Sequence, residues 1–543
     1  MKVRFVVGTI ALIVMGSIVA TLLLNPDLLS SVNTYSAPAG QQAMATDFAN
    51  PIVRENAQPG TFAWQIPFGR AATTQIQAYA NATSVIPGNT IVFNVSVQIE
   101  GTPYSIDIFR LGWYGGFGGR LMTSIGGQIG HAQGVYDSLH QRLIGCYKCR
   151  ISPTTGLIEA NWSSSYNLVV PSSWTTGIYL AKFTDVNGLQ TYAPFDVRGN
   201  NNSTYLVVTP DTTYAAYNPW GGYSLEKTED DGALPNQSGT PLQAVKVSFD
   251  RPYTQDDGSA QVLTFEVDAI HWLERQGYNL SYISNVDLHV DSTLLLHHKV
   301  YLSIGHDEYW TRDMRNGILF ARDNKDIALA FLGANAMYWQ MRFEKDSQGY
   351  PNRTIVCYKV GTAQKDLSRD PLFGKDNSLL TAQWRDPVLA LPENGVIGVM
   401  FDNMTSKVRG FPWQLDAGVK SPLVIGTGLQ LGQAYGCGLV GYAWDRVFTN
   451  GATPARLVVL STTPTITDNS TPSMSNTTYY ITSMGAMVFA TGSLYWTSAL
   501  DNYRFQLDSS CLGQNLVVPG IQNMMAHIMA ELAVLHPTGQ LIS

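Results

Sequence analysis

The hydrophobic rhythm of the chain changes near residue 200, and that switch constrains the fold more than any other feature. From about 75 to 198, apolar residues recur at every second position in short runs. Ile91, Phe93, Val95 and Val97 alternate with polar neighbours, as do Tyr104, Ile106 and Ile108. A period of two is the mark of strands with one buried face. Further runs over 166–170, 177–183 and 193–197 are separated by Gly, Pro, Ser and Asn turns, a spacing that predicts an all-β sandwich. Beyond Thr204 strands alternate with helices. Strands are expected over 205–209, 245–249, 280–284, 299–304 and 327–332, and helices over 265–277 and 311–323. This βαβ order predicts a parallel sheet with crossover helices. The expected fold class is α/β: a β-sandwich N-terminal domain, then a doubly wound (Rossmann-like) α/β domain of catalytic type. Additional β segments are expected over about 355–515, and a closing amphipathic helix over 522–535.

Composition limits the function classes. An apolar share of 45% in 543 residues can fill a core, so wholesale disorder is excluded. A net charge of −7, from 34 Lys+Arg against 41 Asp+Glu, lacks the basic surface of a nucleic-acid protein, and no nucleic-acid partner is expected. Residues 5–24 carry no charge and follow Lys2 and Arg4, which reads as a signal sequence or a membrane anchor with its positive end inside. The expected organisation is 1–24 signal or anchor, 25–60 linker, 61–199 sandwich and 200–543 α/β domain.

An extracytoplasmic chain, anchored or secreted, accords with eleven Asn-x-Ser/Thr sequons between Asn81 and Asn476, more than chance provides. It also accords with Cys146 and Cys149, where a lone CxxC lacks the four ligands of a zinc site and reads as a small-loop disulfide. Cys357, Cys437 and Cys511 make the total odd, so at least one thiol is free or paired between chains.

Polar and aromatic residues gather after four of the expected strands. Tyr214, Tyr217, Asn218 and Trp220 follow the first; Asp250, Arg251 and Tyr253 the second. His306, Asp307, Glu308, Tyr309 and Trp310 follow the strand over 299–304, and Asn335, Tyr338 and Trp339 the strand over 327–332. Open parallel sheets bind ligands beyond the carboxyl ends of their strands, so a functional pocket is expected there. The signatures HExxH, GxSxG and the Walker loop are absent. The glycine-rich run over 113–119 reads as a turn with exposed aromatics, and His297 and His298 as surface histidines.

Six phrases carry a resemblance: Asp-Ile-Phe-Arg-Leu-Gly-Trp-Tyr-Gly-Gly at 107–116, Ala-Tyr-Asn-Pro-Trp-Gly-Gly-Tyr-Ser-Leu at 216–225, Phe-Asp-Arg-Pro-Tyr at 249–253, Gly-His-Asp-Glu-Tyr-Trp-Thr at 305–311, Gly-Ala-Asn-Ala-Met-Tyr-Trp-Gln-Met-Arg-Phe at 333–343 and Ala-Thr-Gly-Ser-Leu-Tyr-Trp at 490–496. Together they resemble the large (beta) subunit of bacterial N,N-dimethylformamidase and its relatives. The resemblance implies an amidase with one Fe(III) held by Tyr217, Tyr253 and Glu308. It implies His306 and Asn335 close by, and His306, Glu308 and Asn335 as catalytic groups. Tyr214 and Tyr223 compete with Tyr217 for the first place. Phenolate and carboxylate oxygens are hard ligands suited to Fe(III), and three of them leave positions for water and a carbonyl.

The implied substrate is a small amide. The membrane would be reached through the N-terminal segment, and a homo-oligomer is compatible with all of this. The chain departs from the family at Ala443, two positions before Asp445, where a glutamate is expected, and the small subunit of the characterised enzyme is not part of this chain. Two functions are compatible with these residues. One is an exported or membrane-anchored hydrolase of C–N amide bonds with iron as Lewis acid. The other is a non-catalytic cell-surface module that retains the fold and binds carbohydrate or peptide through its aromatics.

Overall fold

A computed structural model describes residues 47–199, 202–226, 243–361, 366–406, 410–503, 516–537 and 539–541. Residues 5–24, Asn201, Asn236 and Cys511 lie outside the described residues. Among those described, no helix is long and apolar enough to cross a membrane. One compact unit runs over Met44–Ile66 and Arg70–Ser543. The described sheets and helices lie in it.

Two sheets of its N-terminal part share an apolar core. One places Thr90–Val97 between Ile76–Ala80 and Tyr166–Val169. The other runs Ser84–Val85, Gln190–Val197, Gly177–Asp185, Pro103–Leu111, Gly119–Ile129 in spatial order. The two-residue alternation turns Ile91, Phe93 and Val95 inward against Ile106, Ile108, Phe183 and Phe195. Phe93 meets Phe183 at 5.6 Å and Phe195 at 5.7 Å between ring centres. The glycine-rich turn differs from expectation, because Trp113 and Tyr114 are buried and Phe117 is the exposed ring. His298 is also buried, with Nδ1 2.9 Å from Ser203 Oγ, whereas His297 is exposed. Cys146 and Cys149 form a disulfide, Cys437 is disulfide-bonded, and Cys357 is a buried free thiol.

The largest sheet holds seven strands: β1 (Tyr205–Thr209), β2 (Leu280–Ser284), β3 (Val300–Ile304), β4 (Ala328–Leu332), β5 (Val458–Ile466), β6 (Pro472–Ile481) and β7 (Met487–Ala490). Their spatial order is β2-β1-β3-β4-β7-β6-β5. The first five run parallel to one another, β6 runs antiparallel to β7, and β5 runs antiparallel to β6. Every residue of β1 to β4 is buried, as parallel strands covered on both faces require. Helix α1 (Asp211–Tyr217) leaves β1, α2 (Val267–Arg275) precedes β2, α3 (Arg312–Asn324) joins β3 to β4, and α4 (Pro519–Leu532) closes the described chain. Thr311 starts α3 by accepting the Met314 N–H at 3.2 Å.

The doubly wound (Rossmann-like) expectation is overturned. The alternation of strand and helix stops at β4. From there to β7 the chain forms short antiparallel pairs, such as Met400–Met404 with Ala443–Arg446 and Phe411–Gln414 with Ala434–Val440. Among the described residues, strands spread over nine sheets and helices are few and mostly short. Gly, Pro and Asn punctuate this stretch too often to sustain a helix, whereas antiparallel strands need only short turns.

Two buried polar contacts tie the N-terminal sheets to the large one. Arg110 meets Glu274 of α2 through Nη2–Oε1 at 2.7 Å and Nη1–Oε2 at 2.8 Å, with neither side chain exposed. Tyr282 and Asn56 also donate to the Glu274 carboxylate, at 2.9 and 2.8 Å. A Cβ on Gly112 would lie 2.4 Å from Glu274 Oε2, so only glycine admits the pair. In the second contact, Thr209 Oγ1 lies 2.6 Å from Asp196 Oδ2 and 2.7 Å from Asp211 Oδ2. One hydroxyl proton cannot serve both carboxyls, so one of them supplies its own. Burial, with Asp211 close by, pushes the Asp196 carboxyl well above the ordinary range.

Removing the carboxylate in Glu274→Ala strands a buried guanidinium and lowers the unfolding free energy by about 3–5 kcal/mol in chemical denaturation. A loss below about 1 kcal/mol would show that the tie is dispensable. Asp211 supplies a pH-dependent counterpart. Burial raises its carboxyl to about 7, against the bonds from Thr209 and Ser284. Its folded value therefore exceeds its unfolded one. The associated stability is full below about pH 4 and is lost as pH rises through about 7. Asp211→Asn removes that loss, so denaturation at about pH 4.5 and 8 should show the variant gaining on the wild type at the higher pH. An unchanged difference contradicts the assignment.

Candidate functional site

The loops beyond β1, β3 and β4 are clamped by backbone contacts, which explains why their side chains converge. A Cβ on Gly333 would lie 2.0 Å from the Gly305 carbonyl oxygen, so the ends of β3 and β4 approach as closely as backbones can. The Met337 N–H then donates to Asp307 O at 2.8 Å, and the N–H groups of Tyr338 and Trp339 to Glu308 O at 2.9 and 3.0 Å. Arg251 plays the same part for the loop after α1. Its guanidinium donates to the carbonyls of Trp220, Tyr223 and Asn218 at 2.7–2.8 Å, and Asn218 Nδ2 returns a bond to Pro252 O at 2.8 Å.

Four of the five residues singled out from sequence form one connected chain. Tyr217 Oη donates to Glu308 Oε2 at 2.6 Å, and His306 Nε2 lies 3.2 Å from the same oxygen. Asn335 Nδ2 lies 3.3 Å from His306 Nε2, and the Asn335 N–H donates to Asp445 Oδ1 at 2.8 Å. The Tyr217 and His306 rings pack with centres 4.9 Å apart. Thr213 of α1 accepts the Glu308 N–H at 2.9 Å.

Tyr253 is placed differently. Its half-buried ring meets Tyr214 edge-on at 6.4 Å, and it lines a cleft with Asp211, Phe249 and Arg353. Tyr214 in turn donates its hydroxyl to Glu266. Of Tyr214, Tyr217 and Tyr223, Tyr217 is the one bonded to Glu308.

The two carboxyls held by these tyrosines are biased in opposite directions. Burial opposes the charge on Glu308, but His306, Lys359 and Tyr217 outweigh it and hold the group below the ordinary carboxylate range. Lys359 pairs with Glu226, which also accepts from Tyr309, beside the Trp339 ring at 5.0 Å. Burial dominates at Glu266 and pushes it well above that range despite the bond from Tyr214, with Asp211 and Asp307 adding to the rise. Asp307 is raised to about 6 and Asp445 to about 7, again by burial. Burial also raises the Tyr217 phenol, and the carboxylates of Glu226 and Glu308 add to it.

Sequence reasoning missed Glu266, Lys359 and Glu226. Glu266 ends a π-helical turn, Val262–Glu266, just before α2, in a stretch whose apolar pattern reads as the start of an ordinary helix. No sequence signal separates it from a solvated helix-end acid. Ala443, where a glutamate was expected, is buried in a small apolar cluster with Phe265, Ala334 and Leu494.

Among the described residues no group of three or more His, Cys, Asp or Glu is placed to hold a metal ion. A set built on tyrosine oxygens does not need one. Tyr217 and Glu308 stand side by side, and His306 Nδ1 and Asn335 Oδ1 beside them are buried without hydrogen-bond partners. The oxygen donors fit a hard ion, and an imidazole nitrogen is compatible with iron.

Comparison with known proteins bears on the same residues. The family described as N,N-dimethylformamidase beta subunit-like, C-terminal, matches residues 105–509. No curated protein matches. A solved structure of a Paenibacillus sp. cycloisomaltooligosaccharide glucanotransferase complexed with cycloisomaltoheptaose aligns at 12% identity and a TM-score of 0.15. The alignment covers 51% of this chain and only 40% of that one, and so low a score carries no argument. The family match extends over three quarters of the chain and takes in every residue of the site just described, from Tyr217 to Asp445. The chain belongs to the N,N-dimethylformamidase beta subunit-like family.

Proposed function

We propose that the protein is a hydrolase of C–N amide bonds in small amides, acting at the Tyr217–Glu308–His306–Asn335 chain. The observation that carries this reading is the convergence of those four residues within 3.3 Å of one another along the chain of contacts, at the strand ends of a chain in a family named for formamide cleavage. Glu308, held ionised, accepts a proton from the attacking water. His306 fixes the orientation of that carboxylate through the 3.2 Å contact. Asn335 Nδ2 is a neutral donor for the developing oxyanion, a contact commonly worth about 3 kcal/mol. The buried setting strengthens each of these interactions by excluding water.

A ferric ion, when bound, would supply a Lewis acid for the carbonyl. Tyr217 and Glu308 would hold it, and Tyr253 is the third oxygen donor that the family resemblance implies. We also propose that the protein is exported or membrane-anchored. The charge-free run over 5–24, the Cys146–Cys149 disulfide and the sequons support this. Asn94 and Asn476 are buried and would not carry glycans in the folded chain.

The test is release of dimethylamine and formate from N,N-dimethylformamide by the purified chain. Glu308→Gln keeps the shape, removes the charge and should lower the rate at least ~10²-fold without a large change in melting temperature. Absence of hydrolysis in the wild type, together with absence of bound metal, returns the non-catalytic surface module. Metal content gives a readout independent of turnover. The purified chain should contain iron and absorb visible light through phenolate-to-iron charge transfer, and Tyr217→Phe should weaken both. Tyr253→Phe with undiminished colour would remove Tyr253 from the ligand set.

A further inference from the structure

Glu266 has no part in the mechanism above, yet its carboxyl is fully buried. One oxygen accepts from Tyr214, and the other, Oε1, has no hydrogen-bond partner. An unpartnered buried carboxyl oxygen is costly, and it calls for a ligand or a reaction that uses it. Its position suggests which. A Cβ on Gly305 would lie 2.9 Å from Glu266 Cγ and 3.0 Å from Oε1, so the carboxyl packs on the residue that immediately precedes His306. Phe265, the neighbour of Glu266, meets the His306 ring edge-on at 6.0 Å.

Helix α1 connects the two carboxyls directly. Tyr214 and Tyr217 stand three residues apart on it and therefore share one face. The first holds Glu266 and the second holds Glu308. A π-helical turn delivers Glu266 to this point, a distortion that recurs at functional sites.

We propose that Glu266 is the proton donor to the leaving nitrogen in amide hydrolysis, opposite Glu308 as the base. The proposal rests on the hydrolase reading. Water adds its oxygen to the carbonyl carbon while one of its protons passes to Glu308. The C–N bond breaks with its electron pair going to nitrogen, and the Glu266 O–H proton moves to that nitrogen. A carboxylic acid and a neutral amine leave. Glu308 is then protonated and Glu266 ionised, and one proton exchanged through solvent restores both. Burial pushes the Glu266 carboxyl well above the ordinary range, the direction that favours the protonated form a donor needs.

A proton donor is needed in proportion to the basicity of the leaving group. The test compares N,N-dimethylformamide, whose dialkylamide cannot leave unprotonated, with 4-nitrophenyl formate, whose phenolate can. Glu266→Gln should lower amide hydrolysis ~10²-fold or more while leaving ester hydrolysis within ~3-fold of wild type. Equal losses on both substrates assign Glu266 a purely structural role and overturn the proposal, as does an unchanged amide rate. A wild type that hydrolyses neither substrate overturns the hydrolase reading and this proposal with it. Should Glu266→Gln be recovered unfolded, Glu266→Asp carries the same comparison. It keeps the acid but withdraws it by one methylene, and the amide-to-ester ratio should fall.

Discussion

The carboxylate of Glu308 is a negative charge in a buried position, and much of the surrounding structure serves to hold it there. Transfer of an isolated carboxylate into such an environment costs several kcal/mol even after relaxation. The Tyr217 hydroxyl, the His306 imidazole and the nearby Lys359 ammonium offset that cost. His306 shares the loop of Glu308, whereas Tyr217 comes from the end of α1 and Lys359 from a segment about fifty residues further on. The fold must therefore bring three separated segments to one point before the charge can be buried at all.

The means of convergence is backbone packing. The glycines at 305 and 333 let β3 and β4 end in contact, and the N–H groups of residues 337–339 then close onto the loop that carries His306 and Glu308. Arg251 binds three carbonyls of the loop after α1, so the Asp-Arg-Pro-Tyr phrase is first a structural clamp. This accounts for Tyr253. Its loop is held by Arg251 and Asn218, and its ring turns toward Tyr214 and the cleft. The Arg110–Glu274 pair and the shared Thr209 hydroxyl do for the junction of the sheets what these contacts do for the site. Each takes polar groups from segments distant in sequence and satisfies them away from water.

Much of this was legible in the sequence. Alternation at every second residue marked the N-terminal strands, and short runs rich in apolar residues marked β1 to β4, because side-chain direction within a strand is a local property. The clustering of His306, Glu308, Tyr217 and Asn335 after strand ends was legible for the same reason. Adjacent parallel strands present their carboxyl ends to one edge. The ordered phrases were enough to point to the family.

Only the tertiary structure decided the rest. Whether strand–helix alternation would continue past β4 depended on pairings between segments tens of residues apart, and antiparallel pairs displaced the helices there. Burial of Trp113 and Tyr114 depended on Asn56 and Glu55 reaching them from more than fifty residues away. Glu266 looks in sequence like any acid at a helix start. It becomes a neutral carboxyl beside the site because Tyr214, Gly305 and Phe265 remove water from around it. Periodicity fixes the face on which a residue lies, since it repeats over neighbouring positions. The charge state and partner of a buried group are set by residues far along the chain, and local pattern carries no record of them.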